Sequence, residues 1–221
     1  MEYLEVKRNG VTDFVKKIMD IFFVIILLTL FLPIIVAIII AIKLDSKGPI
    51  LADTPQRVGR KGKLFKMYKL RSMVENAHDI LRNNPKYKKL YDAYKKGSYK
   101  LKDDPRITKV GRFIRKHSLD EIPQLFNVLK GEMSLVGPRA YYMDELQNQQ
   151  KKYPYTAKHV KVVLSVKPGI TGHWQVSGRS EINFDKRIKM DAYYVKKSSI
   201  LYDLWIIAKT PWAMITGKGA L

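Results

Sequence analysis

Asp120 and Glu121 stand side by side in the segment 118–139, SLDEIPQLFNVLKGEMSLVGPR, just ahead of a proline. Over 221 residues the chain carries 41 Lys+Arg against 20 Asp+Glu, a formal charge of +21. An acid pair in such positive surroundings points to phosphate chemistry, in which bases hold phosphate oxygens and carboxylates hold a metal or attack phosphorus. The candidate phosphate ligands are Lys69 and Arg71 in YKLRSM, Arg112 and Arg115 ahead of the acids, Arg139 in VGPR and Arg179 in WQVSGR. A guanidinium fork matches two phosphate oxygens at once. Arg139 and Arg179 each sit in a tight Gly- or Pro-containing turn with apolar neighbours. For any single arginine the plainer reading is a solvated basic face. For the acids it is a helix start, with Ser118 as N-cap and Glu121 at the third position of a capping box.

The elements that must position these residues follow from periodicity. Val11 to Asp20 reads as helix running into an apolar segment, and residues 43–49 form a turn-rich exit. Residues 50–73 read as two short strands around the Gly59–Gly62 turn, a basic hairpin. Val74 to Arg82 reads as a short helix ending before Asn83-Asn84-Pro85, and residues 103–106 as a turn. Ile107 to Lys116 is a basic helix or strand leading into the acid pair. Tyr87, Leu90, Tyr91 and Tyr94 recur at helical spacing among lysines. That pattern suits a helix in the lipid headgroup region, or an ordinary surface helix with a tyrosine face on the core. Near the end, Leu201, Leu204, Trp205, Ala208, Trp212 and Ile215 form one helical stripe, which suits either a membrane interface or core packing.

From Ile21 to Ile42 the sequence reads IFFVIILLTLFLPIIVAIIIAI without one charge. As a helix this reaches about 33 Å, enough to cross a bilayer core. It is too long and too late for a plain signal peptide. Pro33, near its middle, removes an N–H and leaves the Thr29 carbonyl without its helical partner, so the helix should kink or break there; the Thr29 hydroxyl is one candidate to serve that carbonyl. Basic residues flank both sides, with the larger cluster after the run, which places the rest of the chain on the cytoplasmic side. A kinked span and a re-entrant hairpin both satisfy these residues.

The positive charge requires an anionic partner: nucleic acid, anionic lipid or a phosphorylated substrate. The absence of cysteine excludes a disulfide framework and thiolate metal sites.

Several long motifs in order resemble the monotopic phosphoglycosyl transferases, or bacterial sugar transferases. These are the apolar run with Pro33, DSKGPI at 45–50, QRVGRKGKLFKMYKLRSM at 56–73, DPRITKVGRFIRKHSLDEIPQLFNVLKGEMSLVGPR at 104–139, KPGITGHWQVSGR at 167–179 and DAYYVKKSSILYDLWIIAKT at 191–210. The resemblance implies an α-rich α+β monotopic membrane protein, with a proline-broken re-entrant helix, amphipathic interface helices and a small β-hairpin. The expected division is 1–45, the N-terminal segment and membrane helix, and 46–221, a cytoplasmic catalytic domain at the bacterial cell membrane.

The resemblance also implies a reaction. Asp120 would attack the sugar-linked phosphorus of a UDP-sugar, UMP would leave, and undecaprenyl phosphate would take the phosphosugar from the aspartyl intermediate. Glu121 would bind Mg²⁺. Lys69, Arg71, Arg115, Arg139 and Arg179 would hold phosphates or nucleotide, and Asp191 would be a supporting acid. The expected partners are the UDP-sugar, undecaprenyl phosphate and membrane lipids, with no nucleic acid; a homo-oligomer and downstream glycosyltransferases are further partners to expect. GHWQVSGRS is similar to the version in hexose-1-phosphate transferases, galactose ahead of glucose; members acting on N-acetylated or diamino sugars more often carry WAQVNGR. Two departures are Leu32 before Pro33, where some members have Ser, and Ala140 after Gly-Pro-Arg, where a second proline is usual. Lacking the extra membrane-spanning region of larger relatives, the chain reads as the minimal catalytic form. The competing expectation is a membrane-anchored basic binding or scaffold protein without catalysis.

Overall fold

A computed structural model describes residues 10–96, 101, 104–178 and 182–216. Helices dominate it. The first, α1 (Gly10–Asp45), runs without interruption through the apolar segment, with Pro33 inside it. Only 11% of its most apolar window is buried, so it is not the core helix of a soluble protein. At 36 residues it would measure about 54 Å if straight.

Both flanks of this helix dock on the same body. On the N-terminal side the buried Lys16 ammonium donates to Asp203 Oδ2 at 2.5 Å and to the Val136 carbonyl at 3.1 Å. One turn on, Asp20 accepts from Ser134 Oγ at 2.6 Å. On the C-terminal side Ile38 and Ile42 pack with Leu70 and Ile114, and Asp45 accepts from the Val110 amide at 3.3 Å. Between them Leu30, Leu32, Ile34 and Val36 are exposed. The Thr29 hydroxyl donates to the Ile25 carbonyl at 3.0 Å. Its single proton is spent there, so it does not serve its own carbonyl as expected; such back-bonding itself bends helices.

The expected hairpin forms as β1 (Arg57–Val58) and β2 (Leu64–Phe65), antiparallel around a short turn. The helices α2 (Ala77–Asn83) and α3 (Lys88–Lys96) follow. The tyrosine face of α3 packs inward, with Tyr94 buried against Leu81 and Tyr142 and with Tyr87, Leu90 and Tyr91 around them. The headgroup reading of that stripe is thereby corrected: three aromatic rings have more to gain from a shared core than from an interface. Next come α4 (Lys109–Lys116) and α5 (Gln124–Leu129).

A second sheet was not foreseen. β3 (Ser134–Val136) pairs in parallel with β4 (Gly169–Thr171), Ser134 opposite Gly169 and Val136 opposite Thr171. The crossover carries α6 (Met143–Lys152) and α7 (Ala157–Val163). After α8 (His173–Ser177), α9 (Phe184–Lys197) and α10 (Ile200–Thr216) close the fold. One apolar core joins Val24, Val58, Leu125, Leu135, Tyr141, Phe184, Ile188 and Ile206. On α10 the side of Leu201, Leu204, Trp205, Trp212 and Ile215 stays exposed, while Asp203 and Ile206 face inward. Of the two readings of that stripe, core packing is excluded.

Candidate active site

The acid pair lies on a turn rather than on a long helix. Ser118 adopts a left-handed backbone, φ 55, and makes no side-chain cap bond, so the expected capping box is absent. Leu119–Glu121 form one tight 3-10 turn before Pro123 leads into α5. The turn drives Asp120 inward, where it is 4% exposed, and leaves Glu121 partly open.

Lys69 joins the two carboxylates. Its Nζ lies 2.6 Å from Glu121 Oε1 and 3.6 Å from Asp120 Oδ2. The backbone around it is pinned on both sides. The fully buried Asn127 of α5 accepts from the Tyr68 amide and donates to the Lys66 carbonyl, while the Leu70 amide donates to the Asp120 carbonyl at 2.9 Å. Burial raises the Asp120 carboxyl above the ordinary carboxylate value; Lys69 and Arg115 pull against that rise, and Glu121 adds to it. Arg115 reaches the same cavity from α4. That helix is seated by Gly111, where any side chain would stand 1.9 Å from the Ser72 carbonyl oxygen.

Arg139 enters from the turn after β3. Gly169 on β4 faces this turn so closely that a Cβ would lie 2.0 Å from the Gly137 nitrogen. The Arg139 amide donates to Asp191 Oδ2 at 3.1 Å, and the Tyr141 hydroxyl donates to the same oxygen at 2.8 Å. The Arg139 guanidinium stacks over Trp174 at 5.3 Å, and its buried Nε has no partner among the described residues. Burial, and then the nearby Arg187, hold it below the ordinary guanidinium value. A bound anion would relieve both. Asp191 is fully buried and does not line the cavity, so it positions Arg139 rather than touching a ligand. Burial lifts its carboxyl to about 7 against its hydrogen bonds. Behind it, the buried Arg187 pairs with Glu145 Oε1 at 2.8 Å and lies over Tyr141 and Trp174.

Other expected ligands are placed differently. Arg71 is buried with its terminal nitrogens on the carbonyls of Lys47 (2.7 Å), Ser46 (2.6 Å) and Ile42 (3.4 Å). It binds the carbonyls of Ser46 and Lys47 just past the end of α1, and the Ile42 carbonyl, which also accepts from the Ser46 amide. Arg71 lines the same cavity as Lys69, with its terminal nitrogens engaged by these carbonyls, and so ties the membrane helix to the body. Arg112 is exposed on α4 and outside the cavity. Arg179 lies outside the described residues.

Lys69, Arg115, Asp120, Glu121 and Arg139 line one cavity of about 720 Å³. It has three sectors. The cations and acids form its floor. Phe23, Leu27 and Phe31 of α1 with Ile207, Pro211, Met214 and Ile215 of α10 form an apolar wall. Arg57, Asn76, His78, Tyr94 and Tyr142 form a polar lobe. Arg57 stacks over Tyr142 at 3.2 Å. Burial and the charges of Arg106, Arg57 and Arg82 push the His78 imidazole down to about 4, so it is neutral at pH 7. Sequence alone does not point to Gln124, which lines the cavity, is 2% exposed, and whose Nε2 has no partner among the described residues. Its one mark in the sequence is that it follows Asp120 by four residues. Trp174 belongs to the GHWQVSGR motif, and its stacking on Arg139 arises only in the fold.

The donor set fits Mg²⁺ in part. Among the described residues no group of three His, Cys, Asp or Glu side chains converges. Mg²⁺ commonly takes one or two carboxylates and completes its shell with phosphate oxygens and water, which the half-open Glu121 beside Asp120 permits.

Residues 11–217 match the family model described as bacterial sugar transferase. The undecaprenyl-phosphate galactose phosphotransferase of Salmonella typhimurium is 44% identical over 207 residues, 94% of this chain and 42% of that protein. The exopolysaccharide production protein ExoY of Rhizobium meliloti is 36% identical, covering 93% of this chain and 87% of its own length. A UDP-N-acetylgalactosamine-undecaprenyl-phosphate N-acetylgalactosaminephosphotransferase of Aeromonas hydrophila is 38% identical, over 94% of this chain and 45% of that protein. The chain spans less than half the length of the first and third of these relatives.

Proposed function

Because the chain belongs to the bacterial sugar transferase family, we propose that it moves a sugar-1-phosphate from a UDP-sugar to undecaprenyl phosphate, at the start of exopolysaccharide or capsule assembly. The observation that carries this reading is the cavity itself. A buried carboxylate, Asp120, sits among Lys69, Arg115 and Arg139, and an apolar wall from α1 and α10 borders the same space. One substrate of the proposed reaction is a soluble diphosphate and the other a lipid phosphate, so a site of this kind needs both a cationic floor and an apolar flank.

In this reading an Asp120 carboxylate oxygen attacks the sugar-bearing phosphorus, and the bond from that phosphorus to the bridging oxygen breaks as UMP leaves. A phosphate oxygen of undecaprenyl phosphate then attacks the same phosphorus and the acyl phosphate bond breaks, returning the carboxylate and giving the lipid diphosphate sugar. Lys69 and Arg115 oppose the rise that burial imposes on the Asp120 carboxyl. Arg139 and Lys69 neutralise charge on the transferring group, where phosphoryl transfer gains most. Glu121, with substrate oxygens, would hold Mg²⁺; bound there, the ion would neutralise the charge building on the leaving phosphate. The polar lobe suits the nucleotide-sugar, and the apolar wall suits the polyprenyl chain.

A re-entrant course for α1 belongs to the same proposal. It is supported by Lys16 and Asp20 on one flank and Ile42 and Asp45 on the other, all docked on one body. The basic cluster that follows the apolar run favours the cytoplasmic face. For the sugar, the WQVSGR motif favours a hexose, galactose first. The alternative of a binding protein without catalysis leaves the buried Asp120 without a purpose.

The test is release of UMP from a panel of UDP-sugars, with undecaprenyl phosphate and Mg²⁺ in detergent or nanodiscs. UDP-galactose or UDP-glucose should be turned over by the native protein and not by Asp120→Asn. No UMP from any donor, or full activity of the variant, would sink the reading.

A further inference from the structure

Strand β3 has two faces, and alternate residues point to opposite sides. Leu135 faces the catalytic cavity, whereas Ser134 and Val136 line a second one of about 520 Å³. This second cavity lies where α1 leaves the body. Lys16, Lys17 and Asp20 of α1 form one side, and Arg60, Ser165 and Lys167 form the other.

Its lining carries four cations, Lys16, Lys17, Arg60 and Lys167, against two acids, Asp13 and Asp20. Lys16 is spent on Asp203 and the Val136 carbonyl. Asp20 accepts from Ser134 Oγ and from the Leu135 amide, and Asp13 has an interaction of its own. That leaves Lys17, Arg60 and Lys167, none of which forms an ion pair among the described residues. Arg60 places only Nε, on the Ser165 carbonyl at 3.1 Å. The Lys167 ammonium is held below its ordinary value by burial first and then by Lys17, with Arg60 adding to the effect against the pull of Asp20 and Asp13. Lys17 and Arg60 are exposed and Lys167 is half-buried, so the mouth of the cavity keeps a net positive charge that an anion would offset.

The surroundings say which anion. One turn past Lys17 the chain enters the uncharged run, and Ile21 already lies on the cavity wall. Phe14 and Leu129 line the cavity too, and both are exposed on its outer side, as are Ile18 and Phe22. Basic groups backed by exposed apolar side chains, at the point where a membrane helix begins, match the boundary between lipid headgroups and acyl chains. We propose that this cavity binds the phosphate of an anionic phospholipid of the phosphatidylglycerol type, with an acyl chain along Phe14 and Leu129. The site is separate from the catalytic cavity and does not rest on the proposed reaction.

The experiment is native mass spectrometry of the full chain released from nanodiscs of equal phosphatidylglycerol and phosphatidylcholine, without substrate. Wild-type protein should retain phosphatidylglycerol over phosphatidylcholine. Lys17→Gln with Lys167→Gln should reduce that preference by about fivefold for each lysine removed. Lys17→Arg with Lys167→Arg should keep it, and Lys151→Gln with Lys152→Gln, on α6 and off the cavity, should leave it unchanged. Equal retention of the two lipids by wild type, or an undiminished preference in the glutamine variant, overturns the proposal. Thermal stability in pure phosphatidylcholine nanodiscs with inorganic phosphate separates the sources. Stabilisation by free phosphate equal to that by phosphatidylglycerol would refute the lipid assignment.

Discussion

The Lys69 ammonium stands 3.6 Å from a carboxylate, Asp120, that the fold has almost entirely withdrawn from water. Burial raises the Asp120 carboxyl, and Lys69 is the largest influence holding it down. A nucleophilic carboxylate must be ionised, so UMP release should fall as pH drops through a value above the ordinary 3.8. Lys69→Met removes the opposing cation and should move that acid limb upward, with a lower kcat. The pH profile of UMP release checks this, and an unmoved limb would show that Lys69 acts only on substrate.

Adjacent acids in unlike environments should fail differently. Asp120→Asn should abolish turnover and any covalent phosphosugar adduct. Glu121→Gln should keep some turnover while its Mg²⁺ requirement rises, as a metal-holding role demands. Titration of activity against Mg²⁺ separates the two; an unchanged dependence in Glu121→Gln removes Glu121 from the metal.

Two arginines that look alike in sequence should part company. Arg139 lines the cavity and stacks on Trp174, and its buried Nε has no partner among the described residues, so Arg139→Met should raise KM for the UDP-sugar by about tenfold or more with the unfolding temperature little changed. Arg71 ties down the end of α1, so Arg71→Met should lower that temperature by removing these part-buried hydrogen bonds. Steady-state kinetics and thermal unfolding on both variants provide the check.

Asp191 should make stability depend on pH. Its folded value of about 7 lies above the ordinary 3.8, so between these values the folded protein binds the proton and the unfolded chain does not. The stabilisation is present in full at low pH and is lost as pH rises from about 4 to about 7, by up to about 4 kcal/mol. Asp191→Asn keeps an oxygen to accept from Arg139 and Tyr141 but cannot titrate. Its unfolding temperature should be flatter across this window than that of wild type, and an identical slope would place the titration elsewhere.

Periodicity made the helices legible, and turn residues marked the β1–β2 hairpin. The candidate site was legible in part: Asp120, Glu121, Lys69, Arg115 and Arg139 do meet in one cavity. What escaped has a common cause. The parallel pairing of Ser134 with Gly169, the stacking of Trp174 on Arg139 and the Lys16–Asp203 pair all join residues far apart in the chain. Local pattern holds no record of such partners.

The order of residues alone determined a basic, cysteine-free chain with an uncharged helix long enough for a membrane and an acid pair set among arginines. Those are properties of composition and short-range spacing, which burial and backbone hydrogen bonding read directly. Tertiary structure alone decided which cation serves which role. Arg71 and Lys69 are two residues apart and line the same cavity, yet the fold gives them different partners: Arg71 takes the carbonyls at the end of α1, and Lys69 takes Asp120 and Glu121. It also decided that Asp120 is the buried acid and Glu121 the open one. A left-handed Ser118 and a single tight turn orient two adjacent side chains toward different surroundings, and that difference in solvation, not their identity, sets their chemistry.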